Sequence, residues 1–393
     1  PLVVCASLLL RQLVSNWPYS GARKPPMFGD YEAQRHWMEL TVSLPVGRWY
    51  WYDLSYWGLD YPPLTAYVSW AWGKLSLLLE PASMALGTSR GYETLSHKLF
   101  MRLSVTAMDV TVFFPSTLLA AQALRALPAA AAAAGKSSTT GMDAAQKPAR
   151  SHESFKPEAA AAGVGATALM ALLQPGLILI DHGHFQYNGV CLGLAVAAAV
   201  AVASPFRHGD ILGSVLFCLS LNFKQMALYY APVFFFFLLA RCIYCKPATD
   251  GDGGSSNPTG SASTVNGTAS GRKTVLEIAA GVAKLGLVVV ATFAVMWAPF
   301  CWFSGPDRSC TEGLAQVLRR QFPFSRGIFE DKVATVWFCL DVLFKLRTKM
   351  DTGNMAACAT AATLCLLAPV GVDLLRPGRP LMLRRLLLAM FNS

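Results

Sequence analysis

Long apolar runs alternate with short polar segments along this chain, and the runs predict its architecture. Stretches at 1–17, 100–121, 159–180, 185–203, 210–222, 225–241, 275–300, 333–347 and 354–375 read as membrane helices, with a partial one from 381. Residues 62–80 are apolar too, but they open on Pro62-Pro63 and carry Lys74, so an interfacial segment is predicted there. That choice makes 18–97 one long loop and places 301–332 on the same face. Loops 122–158 and 242–274 then share the opposite face. They hold Arg125, Lys136, Lys147, Arg150, Lys156, Lys246, Arg272 and Lys273, the positive charge expected of cytosolic loops. Both are rich in Ala, Gly, Ser and Thr, a composition that predicts disorder.

The densest polar stretch is 28–39, which places Asp30, Glu32, Arg35, His36 and Glu39 directly after the first apolar run. On a helix, Glu32, Arg35, His36 and Glu39 share one face, and Ala33, Trp37, Leu40 and Leu44 the other. Asp30 follows Gly29 where an N-cap belongs. The reading is an amphipathic helix on a membrane surface with an acid exposed at its start. A carboxylate at a water–lipid boundary can take a proton from a polar substrate while the rest of the chain holds a lipid.

Composition fixes the class. Hydrophobic residues make up 54% of the 393 and charged ones only 14%, against roughly a quarter charged in a soluble domain. An all-α, polytopic membrane protein follows. The net charge of +10 comes without a Lys/Arg-rich run, which argues against nucleic-acid binding. The ten cysteines lack zinc or disulfide spacing. Cys242 and Cys245 form a CxxC at the end of an apolar helix and read as buried or palmitoylated rather than redox-active. Cys301 and Cys310 share one loop and could bridge in an oxidising lumen. The chain opens at Pro1 inside an apolar run and stops at Ser393 after an apolar end too short to span, so truncation at both ends is expected.

Three further polar clusters fall on the side of 18–97 or at its boundary. Tyr56-Trp57-Gly58-Leu59-Asp60-Tyr61-Pro62-Pro63-Leu64 is an aromatic turn with one acid, and Asp60 either caps it or meets a substrate. Asp181-His182-Gly183-His184-Phe185-Gln186-Tyr187-Asn188 offers either a metal pair or hydrogen-bonding histidines, the second being the commoner use of that spacing. Arg319-Arg320 and Arg326 are juxtamembrane charge or phosphate ligands, and their place on the disfavoured side tilts towards phosphate. Lys224 could meet a phosphate or mark a loop, and Asp109 is expected to pair with Arg102. The run Phe234 to Phe237 is packing.

The strings at 27–39, 56–66 and 181–188, with Asn222-Phe223-Lys224-Gln225-Met226 and 327–334, closely resemble one family. It is the endoplasmic reticulum glucosyltransferases that use dolichyl-phosphate glucose, and the likeness covers nearly the whole chain outside two insertions, near 129–158 and 246–273. Within the family, 32–39 reads like the member adding the first glucose to lipid-linked oligomannose rather than the sibling adding the second.

The resemblance implies a single membrane domain of GT-C type over 1–393, a helix bundle with lumenal loops carrying interfacial helices. It places the protein in the endoplasmic reticulum membrane with a lumenal active site. The implied reaction is an inverting α-1,3 transfer of glucose from dolichyl-phosphate glucose to a terminal mannose of the dolichyl-diphosphate oligosaccharide, without a metal or other cofactor. Asp30 takes the part of general base. Glu32, Arg35, Asp60, Tyr61, His184 and Gln186 are the implied substrate-binding or supporting groups, with Lys224, Arg319, Arg320 and Arg326 for the donor phosphate. The chain stops before the family's later His-Glu-Lys motif. A lipid or sugar transporter would show internal repeats, which are not seen, and a non-catalytic subunit of a glycosylation complex would not need Asp30.

Overall fold

The computed structural model describes residues 2–137, 157–244, 273–304, 308–322, 335–377 and 382–392. Its elements in order are α1 (Leu2–Ser15), α2 (Gly29–Ser43), α3 (Pro63–Leu79), α4 (Leu95–Met108), α5 (Phe114–Ser137), α6 (Pro157–Leu172), α7 (Pro175–Ile178), α8 (Asn188–Ala203), α9 (Gly209–Phe223), α10 (Ala231–Ile243), α11 (Val275–Trp302), α12 (Cys310–Gln321), α13 (Val336–Phe344), α14 (Leu346–Lys349), α15 (Thr352–Leu374) and α16 (Leu383–Phe391). Two π-helical turns interrupt them, Asp109–Phe113 between α4 and α5 and Leu179–Phe185 after α7. Among the described residues there is no β-strand, as an all-α membrane protein requires.

Four helical stretches are long and apolar enough to cross a bilayer: Leu95–Arg125, Gln225–Ile243, Val275–Trp302 and Thr352–Leu374. The pair Gly165–Leu172 and Pro175–Phe185 is bent by 42°. Pro175 explains the break, because it has no N–H to donate and drives Gln174 out of helical geometry. The segment expected at 333–347 is a helix of only nine residues, Val336–Phe344, stopped by Lys345 at a φ of 51°. The loop expected at 122–158 is helical through Ser137 and again from Pro157, since its alanines are strong helix formers. The rest of it, and nearly all of the predicted loop 242–274, lie outside the described residues.

The chain divides into two compact units. The first comprises Pro1–Leu228 and Val289–Arg326, and the second Tyr229–Val288 and Gly327–Ser393. In the second, α10 packs on α15 and α16, and the Tyr244 hydroxyl donates to the Leu375 carbonyl at 3.0 Å. All the polar clusters named above fall in the first unit.

In that unit α2 is not a surface helix. Every residue from Tyr31 to Thr41 is buried, and α2 packs against α3. The polar face is covered because its charges satisfy each other. Arg35 donates to Glu32 at 2.6 and 2.7 Å and to Glu39 at 2.7 Å, and also bonds the Ser83 carbonyl and the Ser89 hydroxyl at 2.7 and 2.8 Å. Those bonds use all five donors of the guanidinium. Burial works against the Glu39 carboxylate, yet the His36 hydrogen bond, the Arg35 charge and the Gly87 N–H prevail and hold its pKa at about 2. The apolar face packs with Trp49, Tyr50, Leu59 and Phe300.

Candidate active site

The start of α2 sets the acid. Phe28 and Gly29 adopt φ values of 56° and 67°, turning the chain sharply into the helix. Gly29 has no room for a side chain, as a Cβ would lie 2.5 Å from the Ser20 carbonyl oxygen. The N-cap is therefore Phe28, and Asp30 sits inside the first turn, where a carboxylate favours the helix dipole without capping it. Its side chain is 34% exposed. Two bonds converge on its Oδ2, from His184 Nε2 at 2.9 Å and Gln186 Nε2 at 2.5 Å. Among the described residues Oδ1 accepts none.

One unusual residue allows both bonds. Phe185, between His184 and Gln186, has a φ of 93°, a conformation a bulky side chain adopts only under constraint and at a cost of about 1–3 kcal/mol. The reversal turns both neighbours onto one carboxylate. The Phe185 ring is fully buried, edge-on to Tyr31 with centroids 5.0 Å apart, and the Arg102 guanidinium lies 5.6 Å from it.

The Gln186 amide links acid to base. Its nitrogen is on Asp30, and its oxygen lies 3.3 Å from both the Tyr61 hydroxyl and Lys224 Nζ. Lys224, the residue that ends α9, donates to Asn188 Oδ1 at 2.7 Å and sits 4.9 Å from the Tyr61 ring centroid. Burial pushes its ammonium pKa down, and the charges of Asp181, Cys191, Asp30 and Asp60 pull against that. Burial also raises the Tyr61 hydroxyl, with Asp60 and Asp30 adding to it.

The turn that carries Asp60 and Tyr61 is clamped by its carbonyls. Tyr50 donates to Tyr61 O at 2.7 Å, Trp37 to Trp57 O at 2.9 Å, and Arg320 to Gly58 O and Leu59 O at 2.9 and 3.1 Å. Arg320 thus holds backbone where a phosphate ligand was expected. Arg319 is exposed on the last turn of α12, and Arg326 lies outside the described residues. Glu32 and Arg35 are buried in the α2 network rather than lining an open site. Asp109 pairs with Arg11 at 2.7 Å and His182 at 3.0 Å, not with Arg102, which donates to Gly183 O. Asn188, quoted in its motif but not singled out, is the residue that grips Lys224. Among the described residues no three His, Cys, Asp or Glu side chains gather as a metal-ligand set.

An apolar cavity of about 540 Å³ begins at Gln225, the residue after Lys224, and runs between Leu221, Leu228, Val290, Phe293, Trp297 and Leu318. In its wall Trp297 Nε1 donates to Asn222 Oδ1 at 2.8 Å. Cys301 and Cys310 are joined by a disulfide, which ties α12 to the end of α11 beside this cavity.

The sequence is 40% identical over 377 residues to the dolichyl pyrophosphate Man9GlcNAc2 alpha-1,3-glucosyltransferase of Gallus gallus, a match covering 95% of this chain and 61% of that protein. It is 39% identical over 382 residues to the protein of the same name from Mus musculus, covering 96% and 62%. The chain thus spans about three fifths of the length of these curated relatives. Residues 7–391 match the ALG6, ALG8 glycosyltransferase family, and the chain belongs to it.

Proposed function

We propose that the protein transfers glucose from dolichyl-phosphate glucose to a terminal mannose of the dolichyl-diphosphate oligosaccharide, as the first glucose and in α-1,3 linkage. The observation that carries this reading is the arrangement at Asp30. Its Oδ2 is pinned by His184 and Gln186, which leaves Oδ1 of a partly exposed carboxylate to take a proton. In the reaction Asp30 removes the proton of the mannose 3-hydroxyl as that oxygen attacks the anomeric carbon. The bond from that carbon to the phosphate oxygen breaks with its electron pair, and inversion follows from one in-line displacement. Dolichyl phosphate leaves as a stable anion, so neither an acid nor a metal ion is invoked. Lys224 meets the phosphate charge, and its place beside the apolar cavity suits a lipid that carries phosphate at one end. The active site faces the lumen of the endoplasmic reticulum in this reading.

A general base contributes about 10²–10⁴-fold. Asp30→Asn should lower transfer by that order while leaving dolichyl-phosphate glucose binding intact, measured as turnover and as lipid binding of the full-length membrane protein. Unchanged turnover in that variant would favour a non-catalytic subunit or a transporter.

A further inference from the structure

We infer that Asp181 is a positioning residue for Lys224: it orients the Asn188 amide and supplies the buried negative charge that keeps Lys224 a cation facing the donor phosphate. This rests on the donor-site reading above and extends it to a residue no substrate touches. Asp181 is fully buried, and its two oxygens accept from Asn188 Nδ2 at 2.8 Å and the Gly189 N–H at 2.7 Å. The Asn188 amide is two-sided: its NH₂ is held by Asp181, so its carbonyl oxygen must turn to Lys224, 2.7 Å away. Lys224, a donor only, selects the same oxygen from its side, so the amide is held at both ends.

The surrounding charges single out Asp181. Those acting on Lys224 come from Asp181, Cys191 on α8, Asp30 on α2 and Asp60 on the turn before α3, with Asp181 foremost. Asp30 is already engaged by His184 and Gln186, and the other buried acid nearby, Asp109, is paired with Arg11 and His182. Among the described residues Asp181 makes no ion pair of its own, and the Asn188 amide bridges it to Lys224. A buried carboxylate in such a place is costly unless a cation answers it. Gly189 keeps the corner open, since a Cβ there would lie 2.2 Å from Asp109 Oδ1 and 3.5 Å from Asp181 Oδ2.

The test is the pH dependence of dolichyl phosphate binding to the solubilised full-length protein, from about pH 6 to about pH 10. Affinity in the wild type should fall on the alkaline side as Lys224 loses its proton, and Lys224→Gln should remove that limb. Loss of a nearby opposite charge lowers an ammonium pKa by about one unit or more. Asp181→Asn should therefore move the limb down by about one pH unit, and the double substitution Asp181→Asn/Asn188→Asp should restore it. Asn188→Ala cuts the same bridge from the less buried side and should move the limb the same way. Either folded single variant with an unmoved limb overturns the inference. A wild-type protein that binds no dolichyl phosphate at any pH sinks the donor-site reading, and the inference with it.

Discussion

At the scale of single residues, the site depends on where each hydrogen bond ends. In the proposed reaction Lys224 answers charge on the donor alone, so Lys224→Gln should raise the KM for dolichyl-phosphate glucose by about tenfold or more and leave the acceptor KM unchanged. Charge-assisted bonds contribute about 1.5–3 kcal/mol, which corresponds to that factor, and steady-state kinetics with each substrate varied in turn would show it. An equal rise in both KM values would mean that Lys224 shapes the whole site instead. Phe185 is tested differently. Phe185→Ala removes the buried ring that holds the strained turn, and turnover should fall with that of Asp30 variants, because His184 and Gln186 no longer share one carboxylate oxygen. Asp30, Tyr61, His184, Gln186 and Lys224, which the structure brings together, were legible as candidates because each stands in a short motif whose polar groups have no other obvious use. Arg35 and Arg320 were not. A guanidinium in a sequence does not reveal whether its partners are a substrate's oxygens or the carbonyls and carboxylates that the fold brings to it.

At the scale of elements, α2 shows what periodicity leaves open. Its two faces were legible, but the polar one meets protein, since Glu32, Arg35, His36 and Glu39 make their own pairs within it. Removing one member strands the others. Arg35→Ala leaves two buried carboxylates without their cation and should cost about 3–5 kcal/mol, seen as a large drop in the thermal midpoint of the solubilised protein. A loss below about 1 kcal/mol would mean that water reaches the pair. Glu39 carries a pH signature. Its folded pKa lies below the ordinary glutamate value, at about 2, so its stabilisation is complete above the unfolded value and fades as pH falls towards the folded one. The stability gap between wild type and Glu39→Gln should therefore shrink as pH drops from about 5 to about 2.5. A gap that widened on acidification would reverse the assignment. Arg320 belongs to this scale too, because it ties α12 to the turn bearing Asp60 and Tyr61.

At the scale of the molecule, the apolar runs located the helices because a bilayer makes length and hydropathy nearly sufficient. They could not show that 109–113 and 179–185 wind as π-turns, nor that α2 sinks into the protein. Those outcomes depend on packing between distant segments. The cavity that begins at Gln225 was equally hidden, as its walls come from α9 and the turn after it, α11 and α12. If it takes the donor's lipid, Ala294→Trp should weaken use of a long-chain donor and spare a short-chain analogue. Equal effects on both would place the lipid elsewhere. Which acceptor is extended separates addition of the first glucose from addition of the second. Full-length protein in membranes should be given dolichyl-phosphate glucose with either an unglucosylated or a monoglucosylated lipid-linked oligomannose, and the released glycans weighed. A gain of one hexose on the unglucosylated acceptor is the predicted result. Transfer only to the monoglucosylated acceptor, or to neither, would contradict it.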